Sequence, residues 1–271
     1  NREDALYCGM CYEVLRREAS EEIPQVYSPP PREPEKGKRK GFWPYFFVLA
    51  VLIFSGTWMG SYLLHREYED FQITSIPVDV SREPLQTEAR EEGVVWEINH
   101  KGDHYKVVIT PLYEYDISGK VVSVRKWRSW EESGCPVWKE VFPLDFALTW
   151  GKVAEEKYAR YIKFYHTPAS RFVHWKYNFP AQGPSLSQRY LESHISNNHL
   201  CPANETIRYA LKKVKKGDRV RIEGWLMYME LFKDNQKLFS ARSSTTRKDT
   251  WGGACESIYV KRIQIQERIY E

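Results

Sequence analysis

A cysteine, a histidine and two carboxylates near the C-terminal end of this 271-residue chain are the side chains best suited to chemistry. A thiolate at Cys255 would act as nucleophile, His199 as its base, and Asp249 or Glu256 would orient the imidazole. A thiol is reactive near neutral pH only beside such a base or a positive charge. The alternative role is structural, because Asn, Ser, Thr and Asp side chains commonly hydrogen-bond the backbone of turns. We expect the structural role and keep catalysis as the alternative.

A disulfide is the other role that we consider for the Cys255 thiol. Three cysteines follow the apolar segment at residues 42–64, namely Cys135, Cys201 and Cys255. An oxidising compartment favours disulfides, and the bridge we prefer joins Cys201 to Cys255, which would exclude catalysis at Cys255. Sequence cannot choose between the three possible single bridges.

A second pair of thiols lies near the N-terminal end, where Cys8 and Cys11 form a C-x-x-C knuckle. Two thiolates at this spacing hold one edge of a tetrahedral zinc ion. We expect an incomplete or shared zinc site, completed by residues upstream of Asn1 or by a second chain. Inert thiols and a redox pair are the alternatives, although no βαβ pattern surrounds the knuckle.

One uncharged, apolar segment, residues 42–64, separates the C-x-x-C knuckle from the part of the chain that carries His199 and Cys255. It has the length of about 20 residues that a helix needs to cross a bilayer. A basic cluster at 36–40 precedes it and mixed charges follow, so the positive-inside rule places the N-terminus in the cytoplasm. The small residues Gly56 and Gly60 would let another helix approach closely. We therefore predict a single-pass protein of the inner (plasma) membrane, with residues after 64 periplasmic or extracellular.

The remaining sequence predicts a fold that is α+β and mainly β. Runs of Val, Ile, Tyr and Trp with period two favour strands, with hairpin turns at 99–103 and at Ser118-Gly119. One clear helix is expected over 203–214, and a shorter one over 154–165. The strand that follows Lys216-Gly217-Asp218 is typical of small barrels of the OB or SH3-like type, so we expect a partly open barrel or two packed antiparallel sheets with one helix.

The domain limits that we predict are a knuckle at 1–20, a Pro- and charge-rich linker at 21–41, the span at 42–64, a stalk at 65–92 and the outer domain at 93–271.

Partner contacts are expected at an aromatic, basic stretch of the outer domain. Trp127, Arg128, Trp130 and Trp138 lie close together in sequence, and exposed Trp with Arg is typical of interface anchors. Nucleic acid is not an expected partner, because the net charge is only +4 and the basic residues are scattered.

Several C-terminal stretches also resemble a known group of proteins. They are Asn197-Asn198-His199-Leu200, the Lys216-Gly217-Asp218 strand, Ser243 to Thr250, and Gly253-Ala254-Cys255-Glu256. On these stretches the chain resembles bacterial single-pass membrane proteins of unassigned activity that carry an N-terminal C-x-x-C knuckle. The resemblance implies the membrane architecture and no reaction.

These observations together favour a function without catalysis. We expect an anchored accessory or binding subunit that docks its outer domain onto a membrane protein complex or an envelope component. The alternatives are an extracytoplasmic thiol enzyme using Cys255 and His199, and a homodimeric transmembrane sensor. Thiol accessibility and oligomeric state would distinguish them.

Overall fold

Two long antiparallel strands, β4 (Asp103–Lys126) and β9 (Arg219–Lys233), form the spine of the fold. They pair from Tyr105 opposite Lys233 to Lys120 opposite Arg219. The structure is a computed structural model, and it describes residues 70–126, 135–166, 171–246 and 255–271 together with residues 51 and 53.

The other strands in these ranges are short by comparison. They are β1 (Gln72–Ile73), β2 (Leu85–Glu88), β3 (Val94–His100), β5 (Leu144–Thr149), β6 (Ile162–His166), β7 (Val173–Tyr177), β8 (Ile195–Pro202), β10 (Gln236–Arg242), β11 (Glu256–Ile265) and β12 (Arg268–Tyr270). The helices are α1 (Trp138–Val141), α2 (Glu156–Ala159), α3 (Gln188–Ser193) and α4 (Glu205–Lys213), with a 3₁₀ turn at Gly151–Ala154.

Five of the strands close into a ring. Strand β4 pairs with β9, β9 with β11, β11 with β8, β8 with β5, and β5 again with β4. Every pair is antiparallel except β8 with β11, which is parallel. Alternate residues of these strands point inward, and Phe146, Leu200 and Ile258 are fully buried there. Apolar residues of α4, among them Ile207 and Leu211, join the same core. The ring is therefore a small barrel packed against one helix.

A second layer covers the outside of the barrel. The halves of β4 and β9 that extend beyond the ring pair with β3 and β10 and bury Val107, Met229 and other apolar residues against the outer faces of β8 and β11. The separate β6–β7 hairpin packs Ile162 and Phe164 with Ala147, an outward residue of β5. The outer face of β5 and β8 is thus buried as well.

Turn chemistry explains the two hairpins of this layer. Lys101 and Gly102 link β3 to β4, Asp234 and Asn235 link β9 to β10, and all four have positive φ. Two-residue turns of this kind match the twist of paired strands. The hairpin that we predict at 99–103 is confirmed. A second hairpin, which the sequence suggests around Ser118-Gly119, is not formed, because β4 continues through these residues and bends at bulges instead.

The predicted helix at 203–214 is confirmed as α4. The side chain of Asn204 accepts a hydrogen bond from the Ile207 N–H at 2.8 Å, which caps the helix start. The helix that we expect over 154–165 is mostly wrong. Only α2 forms there, and β6 follows it because alternate residues Ile162 and Phe164 pack into the outer layer.

The β-rich domain begins earlier than the predicted boundary at residue 93. Strand β1 pairs with β12 and β2 with β4, so both belong to the sheet although they lie in the predicted stalk. The mainly β, α+β class is confirmed for residues 70–271 where they are described. Within the described residues, no helix is long and apolar enough to cross a membrane. The segment 42–64, with Gly56 and Gly60, lies outside those residues except at positions 51 and 53, which are helical.

Candidate functional site

The outer face of β5 and β8 carries polar side chains that are almost completely buried. Asp145 lies opposite His199 and Ala147 lies opposite Asn197 in the antiparallel register. Because strand side chains alternate, these residues point away from the barrel interior that Phe146 and Leu200 fill. We define the Asp145 cluster as Asp145, Arg171, His199, Asn197, His166 and Cys255.

Asp145 is the centre of this cluster. One of its carboxylate oxygens lies 2.9 Å from His199 Nδ1 and also accepts a hydrogen bond from the Arg171 guanidinium. The other accepts from Arg171 Nε at 2.7 Å and lies 3.9 Å from a guanidinium nitrogen of Arg125. Asp145 and His199 are 0% exposed and Arg171 is 5% exposed. The arrangement is an ion pair sealed from water.

The environment of Asp145 keeps the carboxylate ionised. Burial would raise its pKa, but the charges of Arg171 and His199 and their hydrogen bonds outweigh burial and hold the pKa far below its usual range. Arg171 is itself covered by rings, with its guanidinium carbon 5.7 Å from the centre of the Phe142 ring and 6.0 Å from that of Trp138.

Asn197 joins the ion pair to a second histidine. Its side-chain nitrogen donates to the Arg171 carbonyl at 2.8 Å and to Cys255 Sγ at 3.4 Å. Its oxygen lies 3.0 Å from His166 Nε2, and His166 Nδ1 lies 2.8 Å from Ser123 Oγ. Burial lowers the pKa of His166, although the hydrogen bond to Asn197 opposes that shift. A neutral imidazole with its proton on Nε2 satisfies both contacts.

The predicted catalytic group of Cys255, His199 and a carboxylate takes a different form. His199 is oriented by Asp145 rather than by Glu256. Glu256, the first residue of β11, follows Cys255 and lies opposite Asn198, so it points to the other face, into the barrel, where it is 3% exposed. In the register His199 lies opposite Ser257, two residues from Cys255. Asp249 lies outside the described residues.

The predicted Cys201–Cys255 disulfide is wrong for this structure, in which both residues carry thiols. Cys201 pairs with Tyr259, four residues beyond Cys255 along β11. Four residues of strand span about 13 Å, whereas bridged cysteines have Cα atoms within about 7 Å. Burial raises the pKa of Cys201 strongly, which disfavours its thiolate.

Trp138 is also placed differently from the prediction. It is 6% exposed and packs its ring 4.7 Å from that of Phe239 and 5.2 Å from that of Phe142. It is therefore part of the core that covers Arg171 and not an exposed contact. The other predicted partner residues, Trp127, Arg128 and Trp130, lie outside the described residues.

The zinc site at Cys8 and Cys11 stays a prediction. Among the described residues, no group of three or more His, Cys, Asp or Glu side chains is arranged to hold a metal ion. Cys8 and Cys11 of the predicted zinc site lie outside that part of the chain.

Sequence reasoning missed three members of the cluster, namely Asp145, Arg171 and His166. The sequence does contain an indication for Asp145, because it is the one charged residue in the apolar strand Leu144–Thr149. A charge in a strand that is buried on both faces needs a partner. Arg171 and His166 come from the β6–β7 region, and local pattern does not indicate that this hairpin folds over β5 and β8.

Comparison with protein-family models, with curated proteins and with solved structures gives no match to this chain.

Proposed function

We propose that the chain is a single-pass, membrane-anchored accessory or binding subunit. Its extracytoplasmic β-rich domain would dock onto a membrane protein complex or an envelope component. The observation that carries this proposal is the complete burial of Asp145 and His199, with both carboxylate oxygens occupied. Such a pair supports a scaffold role better than a role in turnover, because a substrate must reach the catalytic group.

The topology supports a binding role. The ring order β4-β5-β8-β11-β9, with α4 inserted between β8 and β9, matches the order of strands and helix in OB-type barrels. Such barrels bind ligands on the face of their second and third strands and through the loops beside it. In this chain the corresponding face, on β5 and β8, is covered by Arg171 and the β6–β7 hairpin. That cover argues against an oligonucleotide on this face and leaves the loops as contact sites.

The predicted docking residues Trp127, Arg128 and Trp130 lie in sequence between two strands of the ring. Trp127, Arg128 and Trp130 belong to the connection between Lys126, the last residue of β4, and Leu144, the first of β5. This connection corresponds to the loop after the first OB strand, which commonly contacts ligands. Large aromatic residues with Arg are the usual anchors of protein interfaces.

The thiol enzyme remains the second candidate, because His199 and Asp145 form a genuine histidine–carboxylate pair on the same strand face as Cys255. The 5% exposure of Cys255 weighs against it, since a nucleophile must meet its substrate.

The test is mild detergent extraction of the full chain from native membranes, followed by quantitative identification of what co-purifies. We expect a stoichiometric partner that is lost in the variant Trp127→Ala/Trp130→Ala. The matched control is Tyr177→Ala, which removes an exposed aromatic ring from β7 and should retain the partner. A lone monomer would contradict the proposal, and a homodimer would favour the sensor.

A further inference from the structure

We infer that one end of the barrel is built to rest on an anionic lipid surface. This inference rests on the proposed membrane anchor and adds a second contact to it. We define the basal end as the turn 215–218 before β9, the turn 266–267 between β11 and β12, and the residues 73–76 at β1.

Hydrogen bonds tie the basal end into one continuous surface. The Gln266 N–H donates to the Arg219 carbonyl at 3.0 Å, and the Thr74 N–H donates to the Glu267 carbonyl at 2.9 Å. Asp218 accepts from the Lys215 N–H at 2.8 Å. Strand β1 pairs Ile73 with Arg268. The three segments are therefore joined at one end of the barrel.

Basic side chains that face solvent concentrate on the basal end and on the helix and strand residues next to it. They are Lys212, Lys213, Lys215, Lys216, Arg219 and Arg268, and all are exposed. Asp218 and Glu267 are the acidic residues on the two turns. Among the described residues none of these six cations forms an ion pair, whereas Lys261 and Arg262 on the side of the barrel each bind a carboxylate. Their charge is thus available to an anionic partner.

Exposed apolar side chains accompany the cations. Ile73 is 78% exposed and Ile76 is 72% exposed, the two highest values among the large apolar residues described. The backbone of Ile76 is held, since its carbonyl accepts from Gln264 Nε2 at 2.8 Å and its N–H donates to Thr74 Oγ1 at 3.1 Å. A fixed backbone that presents isoleucine to solvent beside lysines has the composition of a membrane-surface contact.

The connection to the predicted span selects the bilayer as the occupant. The span ends at Leu64, and five residues (65–69) separate it from Asp70, the first residue of the described domain. An extended chain covers at most about 3.5 Å per residue, so the six residue steps from Leu64 to Asp70 cover at most about 21 Å. Residues 73–76 follow at once. Anionic headgroups attract each nearby Lys or Arg by an amount equivalent to roughly fivefold in affinity.

The test uses the full chain in lipid nanodiscs, with p-benzoylphenylalanine incorporated at position 76. Discs contain either neutral phosphatidylcholine alone or added phosphatidylglycerol, and mass spectrometry measures the fraction of chain photo-crosslinked to lipid. The control position is 238, because Leu238 is an exposed apolar residue on β10 near the opposite end of the β4–β9 spine. We expect position 76 to crosslink to lipid, more in the anionic discs, and position 238 to stay at background.

Charge variants separate docking from mere proximity. Lys215→Glu/Lys216→Glu should lower crosslinking at position 76 about fivefold or more for each lysine reversed. Lys101→Glu/Lys106→Glu makes the same charge change at the other end of β4 and should leave crosslinking unchanged. A chain that enters the discs but crosslinks equally at positions 76 and 238 overturns this inference alone. A chain that fails to enter the discs overturns the proposed membrane anchor.

Discussion

His199 Nδ1 lies 2.9 Å from a carboxylate oxygen of Asp145, and neither side chain is exposed to solvent. The two residues are directly opposite each other on β8 and β5. The same carboxylate holds Arg171, which follows β6 and precedes β7. One buried charge therefore joins two barrel strands to the hairpin that covers them, and its loss would affect both layers.

The first prediction concerns that charge. Asp145→Asn keeps the volume of the side chain but leaves the buried guanidinium of Arg171 without its counter-charge. Breaking a buried ion pair on one side costs about 3–5 kcal/mol, so we expect the free energy of unfolding to fall by about that amount in a denaturant titration. The control is Asp234→Asn, the same change in the exposed β9–β10 turn, which should stay within about 0.5 kcal/mol of wild type. Equal effects of the two changes would refute the scaffold role of the cluster.

Some features of the fold follow from local pattern, and others depend on closure of the barrel. The helix capped by Asn204 and the Lys101-Gly102 hairpin are predictable, because capping and turn chemistry act over a few residues. The continuity of β4 is not, since a Ser-Gly pair is typical of a turn, and here only its pairing with the distant strand β9 keeps it extended. The parallel pairing of β8 with β11 joins distant segments and leaves no local pattern.

The second prediction concerns pH. Burial lowers the pKa of His166 below its ordinary value of 6.5. As the pH falls below 6.5, His166 therefore binds a proton in the unfolded chain before it does so in the folded chain. The stabilising contribution of neutral His166 to the folded state is complete above pH 6.5, and it is lost as the pH falls through the pKa of the folded state. We expect wild type to lose stability between pH 7 and pH 5 with an additional slope of up to about 1.4 kcal/mol per pH unit. His166→Gln should lack that slope.

Chemical denaturation of both proteins at a series of pH values checks this expectation. Between pH 7 and pH 8 the two stability curves should run parallel, because the imidazole is neutral in both states there. A variant curve that follows wild type down to pH 5 would show that His166 does not contribute.

The third prediction concerns the thiols. Cys201 and Cys255 are 0% and 5% exposed, and burial raises the pKa of Cys201. We expect alkylation by N-ethylmaleimide to be at least about two orders of magnitude slower at both residues in the folded protein than in denaturant. Peptide mapping without reductant should find no Cys201–Cys255 bridge. Recovery of that cross-linked peptide, or rapid labelling of Cys255 in the folded chain, would restore the disulfide or the enzyme hypothesis respectively.

The sequence predicts only some members of the Asp145 cluster. His199, Cys255 and the neighbouring Asn197 lie in stretches that the sequence singles out, and the structure brings their strands together. The predicted carboxylate partner is Asp249 or Glu256. Asp249 lies outside the described residues, and alternation places Glu256 on the inner face. A pattern in one strand shows which residues share its face, but the partner across the sheet is set by register, which only the closed barrel defines.

The last prediction concerns that closure. A Cβ atom added at Gly224 would lie 1.9 Å from the carbonyl oxygen of Tyr259, where β9 and β11 join to complete the ring. A backbone oxygen cannot rotate out of the way as a side chain does, so Gly224→Ala must push β9 and β11 apart. We expect a loss of about 3 kcal/mol or more in unfolding free energy. Gly119→Ala is the matched control on β4, where the nearest atoms lie 3.1 Å away and a smaller loss is expected. A Gly224→Ala protein as stable as the Gly119→Ala protein would mean that β9 and β11 are not in the close register described.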